Sequence, residues 1–175
     1  MVRKVLEAKN PSLRQPSRPV EKLDKKVVQI VNDLKETLAA QKDPEGVGLA
    51  APQIGKNLRI FVASFDKTSL VAVNPEVVSQ STELIEDSGK KDQIMEGCLS
   101  LPHYYGPLRR AKSITIKYLT PDGEEKTQEF DGFFAQIIQH ELDHLNGILF
   151  VDRLIEQKES LYKMEADEWE EVELT

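Results

Sequence analysis

Between Leu23 and Leu38 the apolar positions fall at Leu23, Val27, Ile30, Val31, Leu34 and Leu38, with lysine, aspartate and glutamate between them. That is the three-to-four spacing of one helical face, with Asp24 placed to cap it. Pro44 sets the far limit, because proline cannot continue the intrahelical bonding and restricts the residue before it. Ahead of this helix, Pro11, Pro16 and Pro19 make residues 10–20 an irregular lead-in. Behind it, GVGLAAPQIG at 46–55 packs three glycines and a proline into ten residues, which predicts a shaped loop where the backbone approaches something closely. Strands are expected over Leu58 to Phe65 and Leu70 to Val78, joined by a short turn, with Pro75 ending or bulging the second. A charged loop is expected over Ser81 to Asp92. Ala111 to Leu119 favours a strand, Pro121-Asp122-Gly123 supplies a turn, and the polar run to Phe130 predicts the hairpin partner.

The period then changes again. Phe134, Ile137, Ile138, Leu142 and Leu145 share one broad apolar surface, predicting a helix over 132–145 capped by Asp131 and stopped by Gly147. From Arg153 a second amphipathic helix is expected to about residue 173, carrying Leu154, Leu161, Met164, Trp169 and Val172. Its outer face is negative, since residues 156–173 hold eight acids and two lysines, and the apolar positions around Trp169 are expected to cover the chain's own sheet. No repeat, linker or low-complexity stretch divides residues 1–175, so a single α+β domain is the economical assignment.

Composition narrows the function classes. With 175 residues, 39% apolar and 30% charged, the chain can build one substantial core. A net charge of −7 opposes a broad grip on nucleic acid, which depends on concentrated positive charge. Cys98 is the single cysteine, so no intrachain disulfide forms and a reducing compartment is the simpler reading. The absence of a leader-like segment and of any run of eighteen apolar residues leads to the expectation of a soluble cytoplasmic protein, away from membranes.

The strongest chemical signal is H-E-L-D-H at 140–144. Residues i and i+4 stack on one helical face, so His140 and His144 can present ring nitrogens to one metal, with Glu141 placed for proton transfer. Two histidines and a glutamate inside an apolar helix would be costly without a partner. A catalytic site needs a third ligand. The longer metzincin pattern continues to Gly147 but meets Phe150 where its third histidine belongs. A zincin-type metallopeptidase would draw instead on a distant acid such as Glu165. Cys98, in EGCLS, is the better candidate, giving a mixed Cys/His/His set suited to iron, cobalt, nickel or zinc. His103 reads as a rim or turn residue; Arg109 and Arg110 read by default as solvated surface charges, the alternatives being to orient a peptide or to pair with nearby acids.

Three separated segments, GVGLAAPQIG at 46–55, EGCLS at 96–100 and QHELDHLNG at 139–147, resemble the signature motifs of peptide deformylases, as do the lead-in NPSLRQPSRPV and the closing GILFVDRL; the resemblance spans about residues 3–155. It implies hydrolytic removal of the formyl group from N-formylmethionine of nascent polypeptides, work near the ribosome, and one divalent metal, usually Fe²⁺, with Ni²⁺, Co²⁺ or Zn²⁺ able to replace it. By motif position it implies Cys98, His140 and His144 as ligands, Glu141 as general acid/base, and the Gln53 amide and Leu99 backbone N–H as oxyanion donors. Val47, Gly48, Phe133 and Ile137 would line the substrate site together with Gln136, where relatives often carry an apolar residue. Such relatives as dock on the ribosome through a basic C-terminal helix differ from this chain, whose tail is acidic. The expected architecture is α+β, with mixed, mainly antiparallel sheets packed around a central HExxH helix and helices toward both termini.

Overall fold

The computed structural model describes residues 1–85 and 95–174. A short 3-10 turn, Pro11–Arg14, precedes helix α1, Lys25–Ala39. Asp24 caps α1, its carboxylate accepting from the backbone N–H groups of Lys26 at 3.0 Å and Val27 at 3.1 Å. Strands β1 (Gly48–Ala50), β2 (Ile60–Phe65) and β3 (Thr68–Gln80) follow, then β4 (Glu96–Cys98), β5 (Leu101–Gly106), β6 (Ser113–Leu119) and β7 (Glu125–Asp131). Helices α2 (Gly132–Leu145) and α3 (Phe150–Gln157) precede β8 (Leu161–Glu165) and β9 (Glu168–Val172).

The strands form two antiparallel sheets, ordered β1-β2-β3-β6-β7 and β4-β5-β8-β9. Alternation along β2 separates two layers of packing. Phe61 and Ala63 join Ile137, Ile138, Leu142 and Leu145 of α2, while Ile60 and Val62 join Val27, Val31, Leu34 and Leu38 of α1. The larger sheet is therefore covered on both faces, and α2, buried nearly all round, runs through the interior. The second sheet has its own small core of Leu108, Phe150, Leu154 and Leu161, made by α3.

Several expectations change in detail. Gly48–Ala50 of the glycine-rich segment is an edge strand rather than loop, paired with β2. At Pro75 the β3–β6 register shifts between Val73 and Glu76, so the proline bulges a strand that continues beyond it. Asp131 occupies the N-cap of α2 but makes no capping bond with its side chain. It is still paired with Ser113 in the ladder, and the chain turns into the helix at Gly132, φ +60°. Of the charged loop expected over 81–92, residues 86–92 lie outside the described ones.

The tail requires a larger correction. The helix expected over about 153–173 ends at Gln157, and residues 161–172 form a hairpin. Lys158 closes α3 in the left-handed region, and Ala166 and Asp167 both take positive φ (50° and 62°), the conformation of a two-residue hairpin turn. Leu161 pairs with Val172 and Met164 with Trp169, so the apolar residues that mimicked a helical stripe are cross-strand neighbours.

Candidate metal centre and substrate cleft

β4 and β5 fold back through a tight turn at Leu99 and Ser100, which presents Cys98 to the middle of α2. One helical turn sets His140 over His144, with ring centroids 5.0 Å apart. Cys98 Sγ lies 3.3 Å from His144 Nε2, and ligand atoms of Cys98, His140 and His144 all fall within 4.8 Å of one another. The sequence brings this group together from segments more than forty residues apart.

A buried carboxylate fixes one of the imidazoles. Glu96 Oε2 stands 2.8 Å from His140 Nδ1, leaving Nε2 of that ring free of the contact. Glu96 is itself clamped by Arg110, through Nε at 2.9 Å and Nη2 at 2.7 Å, and Arg110 reaches on to Asp143 Oδ2 at 2.7 Å. Arg153 closes the chain of charges on Asp143 Oδ1 at 2.8 Å. Burial opposes ionisation of Glu96, but Arg110 and His140 outweigh it and hold the carboxyl at about 2. Burial likewise opposes the Cys98 thiolate, and His144 and His140 overcome it, bringing the thiol well below its ordinary value.

These donors fit a divalent metal of borderline softness: one stabilised thiolate and two imidazoles, three ligands in all, as in an open catalytic site. A second sign is Glu141 Oε2, a buried carboxylate oxygen beside the group that has no hydrogen-bond partner in the protein. Burial pushes the Glu141 carboxyl up to about 7, against the pull of both histidines.

One cavity of about 200 Å³ adjoins the group. Val47, Gly48, Gln53, Cys98, Leu99, Phe133, Gln136, Ile137, His140 and Glu141 all line it, whereas His144 sits behind, almost fully buried. Gln53 is oriented by its own 3-10 turn, Ala51–Ile54. Its Oε1 accepts from the Ala50 N–H at 2.9 Å, which points Nε2 toward Ser100 Oγ at 3.1 Å and Cys98 Sγ at 3.7 Å. Gly48 is glycine for reasons of space: a Cβ there would lie 2.5 Å from Glu141 Oε1. Two sheet-edge strands, β1 and β4, face the cavity from different sheets.

Other residues stand apart from expectation. Arg110 is buried within the ion-pair chain, not solvated, because Glu96 and Asp143 come to it from distant segments. Glu165 is exposed at the end of β8, paired with Lys163 at 3.6 Å, and among the described residues no acid joins the Cys98, His140 and His144 group, so Glu165 does not serve the zincin alternative. His103 lines the cavity rim in a positive-φ conformation. Tyr104 and Tyr105, its neighbours in sequence, line the cavity with it; Glu96 was not singled out from sequence, although it stands inside the motif EGCLS itself. Among the described residues, no helix is long and apolar enough to cross a membrane.

Comparison with known proteins gives a consistent result. Residues 2–160 match the family model described as polypeptide deformylase. A peptide deformylase from Pseudothermotoga lettingae is 41% identical over 152 residues, covering 87% of this chain and 82% of that protein. The crystal structure of peptide deformylase from Thermotoga maritima superposes with a TM-score of 0.78 at 34% identity, covering 87% of this chain and 97% of that one. A class I type b peptide deformylase from Acinetobacter baumannii, solved with Met-Ala-Ser bound, gives 0.77 at 34% identity, covering 87% and 99%.

Proposed function

The chain belongs to the polypeptide deformylase family, and on that premise we propose how its own residues divide the work of removing the formyl group from N-formylmethionine of nascent polypeptides. The reaction is amide hydrolysis: water adds to the formyl carbon, the C–N bond breaks, and formate and a free N-terminal amine leave. Cys98, His140 and His144 would hold one divalent ion, Fe²⁺ by preference with Ni²⁺, Co²⁺ or Zn²⁺ as substitutes, which would supply Lewis acidity for activating water and a carbonyl. Glu141 takes the proton of the attacking water on a carboxylate oxygen and returns it to the amine nitrogen as that bond breaks. A carboxyl buried as this one is, with an oxygen free of protein partners, is placed for such an exchange.

Charge develops on the formyl oxygen as the carbon becomes tetrahedral. Gln53 Nε2 and the Leu99 backbone N–H donate to it, and one fixed donor of this kind is worth about 3 kcal/mol of barrier. Because Ala50 N–H holds Oε1, the Gln53 amide cannot turn its acceptor end inward without breaking that bond. The peptide lies extended between the edges of β1 and β4, bound mainly through its backbone, which tolerates varied sequence after the first residue. Val47, Gly48, Phe133, Gln136 and Ile137 receive the methionine side chain, with Gln136 offering the thioether an amide in an otherwise apolar wall. Residues 1–175 act as one hydrolase domain, working in the cytoplasm near the ribosome.

The observation that carries this reading is the convergence of Cys98 with the two histidines beside a cavity that Glu141 and Gln53 also line. Formate release from formyl-Met-Ala-Ser after anaerobic purification tests it, together with metal analysis. Cys98→Ala is expected to lose both metal and turnover, while Glu141→Ala keeps most of the metal and loses turnover. A Glu141→Ala protein that still releases formate at the original rate would refute the proton route.

A further inference from the structure

The hairpin β8–β9 stands beyond residues 2–160, the span matched by the family model, yet it pairs with β5, whose His103, Tyr104 and Tyr105 line the cavity. It extends the sheet β4-β5 through pairs Tyr104–Lys163 and Tyr105–Tyr162. Trp169, the single tryptophan of the chain and 47% exposed, sets its ring edge-on to Tyr105, centroids 5.4 Å apart at 86°. Tyr105 in turn lies against Gly97 so closely that a Cβ there would meet its ring at 2.6 Å. The contacts run from Trp169 to Tyr105 to the backbone of the strand that bears Cys98.

The direction of the cleft says which part of a substrate Tyr105 would meet. Glu141 abuts Gly48, so the reacting end lies there. Toward the chain's N-terminus from Gly48 the cavity wall passes Val47, Gly46, Glu45 and Pro44. On the opposite side the reacting end is marked by Cys98, and Gly97, the next residue back along the β4 edge, is the one that Tyr105 pairs with and packs on while lining the same cavity as Glu45 and Pro44. A peptide running away from Glu141 between this wall and the β4 edge therefore reaches Gly97, with Tyr105 over it, only after its first residue.

We propose that Trp169 is a positioning residue for the substrate chain downstream of the formylmethionine: by bracing Tyr105 against Gly97 it holds the outer cleft wall that residues two and three of the peptide lie on. This rests on the deformylase reading. An edge-to-face aromatic contact is of a size to change peptide affinity about five-fold. Loss of the brace lets the Tyr105 ring leave Gly97 and widens the wall without touching Glu141, Gln53 or the metal ligands.

The test compares formyl-Met-Ala-Ser with formyl-Met amide, which ends before Tyr105. In Trp169→Ala, KM for the tripeptide is expected to rise about five-fold with kcat nearly unchanged, kcat/KM for formyl-Met amide to stay level, and Trp169→Phe to restore most of the tripeptide KM. An equal loss on both substrates, or none on either, overturns the proposal. Should Trp169→Ala fail to fold, the unaltered protein supplies the measurement through its lone tryptophan. Titration with the product Met-Ala-Ser is expected to shift Trp169 emission in step with binding followed by calorimetry, and methionine amide is expected to leave it unchanged. Calorimetric binding of Met-Ala-Ser with unchanged emission overturns the proposal. Absence of formate release by the unaltered protein strikes the deformylase reading itself, and the proposal with it.

Discussion

Gly48→Ala is the most discriminating single change at the reacting centre. Gly48 does not adopt positive φ, so alanine meets no backbone strain there. The added methyl would sit 2.5 Å from Glu141 Oε1, 3.0 Å from its Cδ and 3.0 Å from Ile137 Cγ2. Ordinary contact begins near 3.4 Å, so the carboxylate must retreat by about 0.9 Å. It is the end of a side chain and can do so, which limits the loss of fold stability to about 1–2 kcal/mol, within the range for modest overpacking. Catalysis is less forgiving, because a misplacement near 1 Å costs about a hundred-fold in rate. The expected outcome is therefore a kcat about a hundred-fold lower, with metal content unchanged and the melting temperature only slightly reduced. Formate release, metal analysis and thermal unfolding on one preparation measure all three. The double variant sharpens the test through stability, since in a Glu141→Ala background the same methyl has no carboxylate to displace and should lower the melting temperature little further. A Gly48→Ala enzyme with kcat within a few-fold of the original, or a full additional loss of stability in the double variant, would refute the reasoning.

Gln53→Ala should lower kcat by about 10²–10³ with a smaller change in KM, as expected for a donor used mainly at the transition state; steady-state kinetics decides. The same change strands the Ala50 N–H and should show separately as about 1–3 kcal/mol in urea unfolding. Arg110→Met removes the shared partner of Glu96 and Asp143, both buried, and should destabilise the fold by about 3–5 kcal/mol, read from the urea midpoint. A midpoint unchanged by Arg110→Met would mean that the two carboxylates find other partners.

Much of this was legible along the chain where a local rule applied. The periodic apolar faces of α1 and α2, the Asp24 cap and the Pro121-Asp122-Gly123 turn each depend on neighbours in sequence. The grouping of Cys98 with His140 and His144 was legible as well, because HExxH stacks two histidines by helix geometry and a lone cysteine was the candidate third member. The tail was misread for a physical reason: its turn is Ala166-Asp167, without the glycine or asparagine that usually marks positive φ, so no break announced the hairpin. Arg110 was misread because its partners come from β4 and α2, and no local pattern distinguishes a clamped guanidinium from a solvated one. Glu96 likewise shows its function only once Cys98 has carried it against His140.

The candidate metal group joins parts of the molecule that otherwise stand on separate foundations. Cys98 belongs to the small sheet with the α3 core, whereas His140 and His144 ride on the helix buried against the large sheet. Loading an ion here would therefore stitch two layers into a single mechanical unit, with the groove for the incoming polypeptide as the seam. Cofactor supply and the stiffness of that seam are then one property, and a chelated enzyme would be expected to breathe along it.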